Sequence, residues 1–247
     1  MHQGFHLAIL DGFELRADGG ALLSGRGEAQ RLLTVLALRD GPMSRGVVVT
    51  MLWPDAPEAQ GLASLRSALS RLSADVRRAV VTAGADLALT PDVSVDLWDA
   101  RAFAQRLLDT ERPLPWSDLQ QEAGHSLQAL TLDLLPGWHE DWAIMEFEAW
   151  RQLRLHALDA VSVHLTRAGR FASAAAAAAA VLRSEPLRES ACAALIRVHL
   201  AAGNRSEAVR AFAEFRARLI RELGLTPSSV LSALIGPALP AAPDDEG

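Results

Sequence analysis

The chain has 247 residues, half of them apolar, which is enough for two modest domains each burying its own core. Its net charge is −6 and its 24 basic residues are all arginine, so nothing draws it to nucleic acid as a whole and any such partner must be met by a local patch. No apolar run is long enough to span a bilayer, MHQGFHLAIL lacks the build of a signal peptide, and the single Cys192 cannot form an intrachain disulfide, which together fit a reducing cytoplasm and no membrane partner.

Phe5–Leu10 and Phe13–Leu15 read as two short strands joined at Asp11-Gly12, a strong hairpin signal. A second turn at Asp18-Gly19-Gly20 leads to a third strand, Ala21-Leu22-Leu23. Gly27–Leu38 has the broad apolar face of a helix and stops at Arg39-Asp40-Gly41-Pro42. Ser44 can cap the next helix, Arg45–Leu52, which ends at Trp53-Pro54-Asp55, and Ala56-Pro57 re-aims the chain.

The next stretch, Glu58–Arg78, reads as one helix. Leu62, Leu65, Leu69, Leu72 and Val76 alternate at spacings of three and four, which places one apolar stripe centred between Leu65 and Leu69. Opposite it fall Gln60, Ser64, Ser67, Arg71 and Arg78, none of them acidic and all able to donate hydrogen bonds. Arg66 and Arg77 lie on the flank. A leucine seam alone means core packing. Helix, short turn and a longer helix with a polar outer face is the helix-turn-helix order. Ala79–Thr82 and Leu87–Thr90, joined through Ala83-Gly84-Ala85-Asp86, form a hairpin directly after it, a wing placed to touch the DNA backbone.

Residues 1–97 are therefore expected to be a winged helix-turn-helix with a small β-sheet and a wing. Asp99–Leu108 is a short helix, and two prolines follow within Asp109–Ser117. Beyond them Ser117–Asp133, Trp138–Ala168, Phe171–Ser184, Leu187–Ala202, Ser206–Leu223 and Ser228–Ile235 all read as helices. Ala168-Gly169 recurs 34 residues later as Ala202-Gly203, and Ala174 as Ala208, the tetratricopeptide period. Ala174–Ala180 is expected to be a closely packed helix face, not a linker. Residues 98–236 are thus an all-α tetratricopeptide-like domain, making the chain mainly α, and 237–247 reads as a disordered, Pro/Ala-rich then acidic tail.

Other chemistry finds no support. There is no GxxxxGK[ST], and without lysine a standard P-loop is impossible. His139-Glu140-Asp141 is the densest metal-ligand group, but neighbours on a helix point apart and there is no HExxH. Trp53 and Trp142 are expected to be core anchors. No serine sits in GxSxG. We expect no catalytic residues, no cofactor and no metal.

The order of motifs resembles the SARP-type bacterial transcriptional activators, which join an OmpR-like winged helix-turn-helix to a bacterial transcriptional activator domain. The carrying residues are LWPD (52–55), LRSALSRL (65–72), VDL (95–97), LLPGWHEDW (134–142), EPLRESA (185–191), AAGNRSEA (201–208) and ELGLTPS (222–228). The resemblance covers about residues 5–236. It implies a sequence-specific DNA-binding activator whose partners are double-stranded DNA and RNA polymerase, and it leaves a homodimer open. Gln60, Ser64, Ser67 and Arg71 would then read bases, with Ser70 in the same DNA-facing set, while Arg66, Arg77 and Arg78 would hold phosphates. Ser73 stands where the family usually has arginine, and Ala85-Asp86 where its wing usually has Gly-Tyr. Those departures keep a second reading open: a protein-interaction adaptor with a vestigial winged helix.

Overall fold

The computed structural model describes residues 4–17, 20, 22, 27–109, 111 and 125–236. Outside these lie the tail 237–247, Pro113 and Pro115, the first part of the helix expected over 117–133, most of the turn at 18–20, and all of the third strand except Leu22, which bridges to Arg16. The chain divides into two compact units, Met1–Phe103 with Gly124–Leu153, and Ala104–Ala123 with Arg154–Gly247.

In the first unit, β1 (Phe5–Ala8) pairs antiparallel with β2 (Glu14–Ala17), with Leu7 opposite Leu15. Asp11 at φ 62° and Gly12 at φ 142° make the reversal between them. α1 (Glu28–Ala37) buries Leu32, Leu33, Val35 and Leu36. β3 (Met43–Ser44) leads into α2 (Arg45–Leu52), and the Ser44 hydroxyl accepts from the Val47 N–H at 3.3 Å, the cap expected from the sequence. α3 (Glu58–Arg71), α4 (Ala74–Arg77), β4 (Val80–Ala83), β5 (Asp86–Leu89) and β6 (Val93–Val95) follow. β3, β5 and β4 form the wing sheet in that order, and β6 joins the first sheet parallel to β1, giving β2-β1-β6. That parallel pairing is absent from the sequence reading, because a three-residue strand whose partner lies nearly ninety residues away leaves no local signal.

α5 (Asp96–Leu108) begins where β6 ends, three residues earlier than the sequence predicts. Its first turn holds the unit together. Asp96 accepts from the N–H groups of Ile9 (2.9 Å) and Leu10 (3.0 Å), at the end of β1, and of Leu97 (2.7 Å). Trp98 Nε1 and an Arg101 Nη donate to the carbonyls of Ala37 and Leu38, which the end of α1 would otherwise leave open. Among the described residues of the expected 117–133 helix, only α6 (His125–Ala129) is helical. Leu134 then bridges to Leu10, and Leu135, in a left-handed conformation at φ 45°, donates its N–H to the Ile9 carbonyl. α7 (Asp141–Arg167) contributes buried Trp150 to this unit, with its Nε1 on the Leu132 carbonyl at 3.1 Å.

The second unit is helical. It takes the last part of α7 with α8 (Phe171–Ser184), α9 (Glu189–Ala201), α10 (Arg205–Leu223) and α11 (Ser229–Ile235). Ala174 and Ala178 are fully buried, so the alanine run is a packed face. The Ser162 hydroxyl donates to the Ala174 carbonyl at 3.0 Å, a contact that needs small side chains at the crossing. Asp159 accepts from Arg188 and Ser190 of EPLRESA, tying α7 to the start of α9. Cys192 packs with Ile196, Phe215 and Leu231, and burial pushes its thiol up to about 12, far from the thiolate that reactivity requires.

The 34-residue period is visible in the backbone. Arg170 N–H reaches the Leu165 carbonyl at 2.9 Å, and Asn204 N–H reaches His199 at 2.8 Å. Between them Gly169 and Gly203 hold φ 72° and 77°, left-handed values that a β-branched residue resists. Gly203→Val is expected to cost the second unit about 1–3 kcal/mol, the strain of a non-glycine residue in that region. Thermal melting followed by circular dichroism checks it, and an unchanged melting temperature would place the strain elsewhere.

Candidate nucleic-acid interface

The turn between α2 and α3 is built from LWPD and the two residues after it. Trp53 closes α2 by donating its N–H to Val49, Ala56 N–H returns to Trp53, and Pro57 starts α3. Arg31 of α1 donates to the Leu52 carbonyl at 3.0 Å and pairs with Glu140 at 2.8 Å, so the end of α2 is capped by a side chain fixed from two sides. Trp142 Nε1 also donates to Glu140, so that carboxylate is engaged in an ion pair and a hydrogen bond. Trp53 and Trp142 are half-buried, neither of them a full core anchor, and Trp150 is the buried tryptophan of this region.

α3 approaches α2 closely through Gly61. A Cβ at that position would lie 2.2 Å from Val49 Cγ1. Gly61, Leu65 and Ala68 are the buried residues of the helix, with Leu72 buried just beyond it, whereas Leu62 and Leu69 are only partly covered. The packed face is therefore rotated by roughly 50° from the leucine stripe, taking about 100° per residue. Small residues permit the close contact, and closeness decides the face more than side-chain hydrophobicity does.

The rotation redistributes the residues expected on the outer side. Arg66, Ser67 and Ser70 point most directly away from the packed face, and Gln60 is exposed near the N-terminus of the helix. Ser64 turns inward and is half-buried. Arg71 moves to the flank beside α1, where its Nη2 lies 2.9 Å from both Glu28 Oε2 and Ser67 Oγ. Arg66 has no acidic partner among the described residues.

The single helix expected over Glu58–Arg78 is two helices. α3 ends at Arg71, Leu72 adopts ψ 134°, and Ser73 caps α4 by accepting from the Val76 N–H at 3.3 Å. Leu72 and Val76 are both buried, so the apolar spacing of four continues across a break it does not reveal. Ser73 thus has a local task, capping. Arg77 donates to the Leu69 carbonyl at 2.6 Å and closes the C-terminal end of α3. Arg78 lies 5.6 Å over the Phe5 ring and pairs with Asp75 at 3.5 Å. Both remain exposed, but each is fixed by its own domain.

The wing hairpin turns at Gly84-Ala85, and Asp86 lies in β5 opposite both Ser44 and Ala83. The turn is tighter than the four residues expected. Asp86 is half-buried and directly follows the turn, so a negative charge stands next to the wing tip.

Among the described residues, no group of histidine, cysteine, aspartate and glutamate is arranged to hold a metal, and no helix is long and apolar enough to cross a membrane. Glu28, which meets Arg71 of α3, and Arg31, which meets the end of α2, carry no local signal in the sequence; Asp96, which ties α5 to the end of β1, has only the weak hint of an acid at a strand-to-helix junction.

Residues 95–237 match the family model described as "Bacterial transcriptional activator domain". Regulatory protein AfsR of Streptomyces griseus is 29% identical over 231 residues, covering 87% of this chain and 23% of that protein. Regulatory protein AfsR of Streptomyces coelicolor is 28% identical over 244 residues, covering 92% and 23%. The chain thus spans about a quarter of the length of these curated relatives. Among solved structures, "Mycobacterium tuberculosis EmbR in complex with low affinity phosphopeptide" has a similar fold, with a TM-score of 0.69 at 19% identity over 96% of this chain and 65% of that one.

Proposed function

The chain belongs to the bacterial transcriptional activator domain family, in its SARP-type form, and from that premise we propose that it is a sequence-specific DNA-binding activator acting in the cytoplasm, without catalytic activity of its own. In this reading residues 1–97 bind duplex DNA and residues 98–236 contact RNA polymerase. The carrying observation is the outward face of α3, where Gln60, Arg66, Ser67 and Ser70 stand together without an acidic residue, beside a wing. Arg66 takes the base-reading role, since it points outward and is not held by a carboxylate among the described residues. Arg71, Arg77 and Arg78 lie at the flank and the C-terminal end of the helix, suited to phosphates.

Arg66→Ala is expected to flatten discrimination at one base position, because a bidentate arginine–guanine contact is worth about 1–3 kcal/mol. The slope of affinity against salt should hardly change, as that slope follows phosphate contacts. Duplexes enriched from fragmented genomic DNA, compared with scrambled ones by fluorescence anisotropy across a salt series, provide the measurement. A uniform loss with a slope shallower by about one would instead make Arg66 a phosphate contact.

Asp86 beside the wing turn, a like charge to phosphate, favours a second reading, an adaptor whose winged helix no longer binds DNA. Wild-type protein that prefers no genomic fragment even at low salt would establish it.

A further inference from the structure

Arg71 is answered from another helix. Its Nη2 is 2.9 Å from Glu28 Oε2 in α1 and 2.9 Å from Ser67 Oγ, while Nε donates to the Ser67 carbonyl at 3.3 Å. Glu28 stands in the first turn of α1, where the open backbone amides favour a negative charge. Both side chains are largely exposed, 64% for Arg71 and 42% for Glu28, so the pair is weak and open to exchange. A DNA phosphate offers the guanidinium an equivalent acceptor in a fork geometry. Both N–H groups of Nη2 are already taken, one by Glu28 and one by Ser67, so a phosphate fork that uses Nη2 must displace one of them, and only Glu28 repels the phosphate. Glu28 would also sit close to whichever phosphate Arg71 reached, as a like charge.

We propose that Glu28 is an internal competitor for Arg71: a carboxylate that DNA phosphate must displace, and that thereby sets the affinity of the interface. The inference rests on the DNA-binding reading of α3. It makes α1 part of the interface through a residue that contacts no DNA.

Glu28→Gln keeps the size of the side chain and removes the charge. Measured by fluorescence anisotropy on a genomically enriched duplex and on its scrambled version, it is expected to tighten binding about two- to fivefold on both, the range of an exposed ion pair. The salt slope should steepen by up to about one, since no carboxylate is left to recapture a cation. In an Arg71→Ala background the same substitution should have less than half of that effect. Equal melting temperatures for the variants confirm that the folds are comparable. An equal gain in both backgrounds would reduce Glu28 to a general charge effect and overturn the competition. Weaker binding by Glu28→Gln would make Glu28 an aid to Arg71 and overturn it as well. Wild-type binding that Glu28→Gln leaves unchanged sinks this inference alone. Failure of wild type and Glu28→Gln to bind any duplex at low salt removes the DNA-binding reading, and this inference with it.

Discussion

Asp96→Ala is expected to lower the melting temperature of the first unit by roughly 6–12 °C, corresponding to about 3 kcal/mol at about 2–4 °C per kcal/mol. The N–H groups of Ile9, Leu10 and Leu97 all end on this carboxylate, and the side chains around them are buried. Removing it leaves three donors without an acceptor, each worth about 1–3 kcal/mol where water cannot replace it. Asp96 is itself only half-buried, so water recovers part of the loss and the sum stays near the lower end. Asp96→Asn, which keeps one carbonyl oxygen, should fall between. Burial holds the Asp96 carboxyl above its ordinary range, although the three backbone N–H groups pull it down. A carboxyl whose native pKa is raised contributes stability that is full below its unfolded pKa and is lost as pH rises through the native one. The advantage of wild type over Asp96→Asn should therefore be largest on the acid side and shrink across the carboxylate range. Denaturant unfolding at a series of pH values reads this directly. Equal stability of Asp96→Ala and wild type would mean that the end of β1 is held by other contacts.

Asp96 also shows which parts of the molecule were legible. Features written in neighbouring residues could be read: the Ser44 cap, the Asp11-Gly12 reversal, and the Ala-Gly turns at 168–169 and 202–203. Features made by distant pairing could not. VDL is recognisable as a motif, but nothing local shows that its aspartate reaches Ile9 and Leu10 or that Val93–Val95 pairs with β1. The break after Arg71 was hidden for a different reason. Leu72 and Val76 keep helical spacing across it, and the only local sign is Ser73, a good capping residue, followed by Ala74-Asp75. The outer face of α3 was misjudged because leucines dominate any periodicity argument. The contact itself is set by Gly61 and Ala68, the residues small enough to let α2 come near. Arg66 and Arg71 consequently exchange places: Arg66 turns to the outward face and Arg71 to the flank beside α1.

The same contact carries the second large effect. Gly61→Leu is expected to destabilise the first unit by about 3 kcal/mol, the upper range for an overpacked core. Even a Cβ at Gly61 meets Val49 Cγ1 at 2.2 Å, with Val49 Cβ at 3.5 Å, and Val49 is buried and short, with no flexible end to swing aside. Gly61→Ala is the sharper test. Alanine gains about 1 kcal/mol of helix propensity over glycine, which would make the variant more stable if the space were open. Overpacking costs about 1–3 kcal/mol, so the net change should be a loss. Val49→Ala creates the missing space. The double variant is therefore expected to be more stable than the sum of the single effects by at least about 1 kcal/mol, a coupling available only to residues in contact. Function should follow the same geometry. α3 is seated by this contact, and Gly61→Leu tilts it away from α2, so the protein that remains folded should lose its preference for one duplex before it loses affinity for DNA in general. Additive stabilities in the cycle would show that α2 and α3 do not meet at Gly61, and the rotated outer face that turns Arg66 away from α2 would go with them.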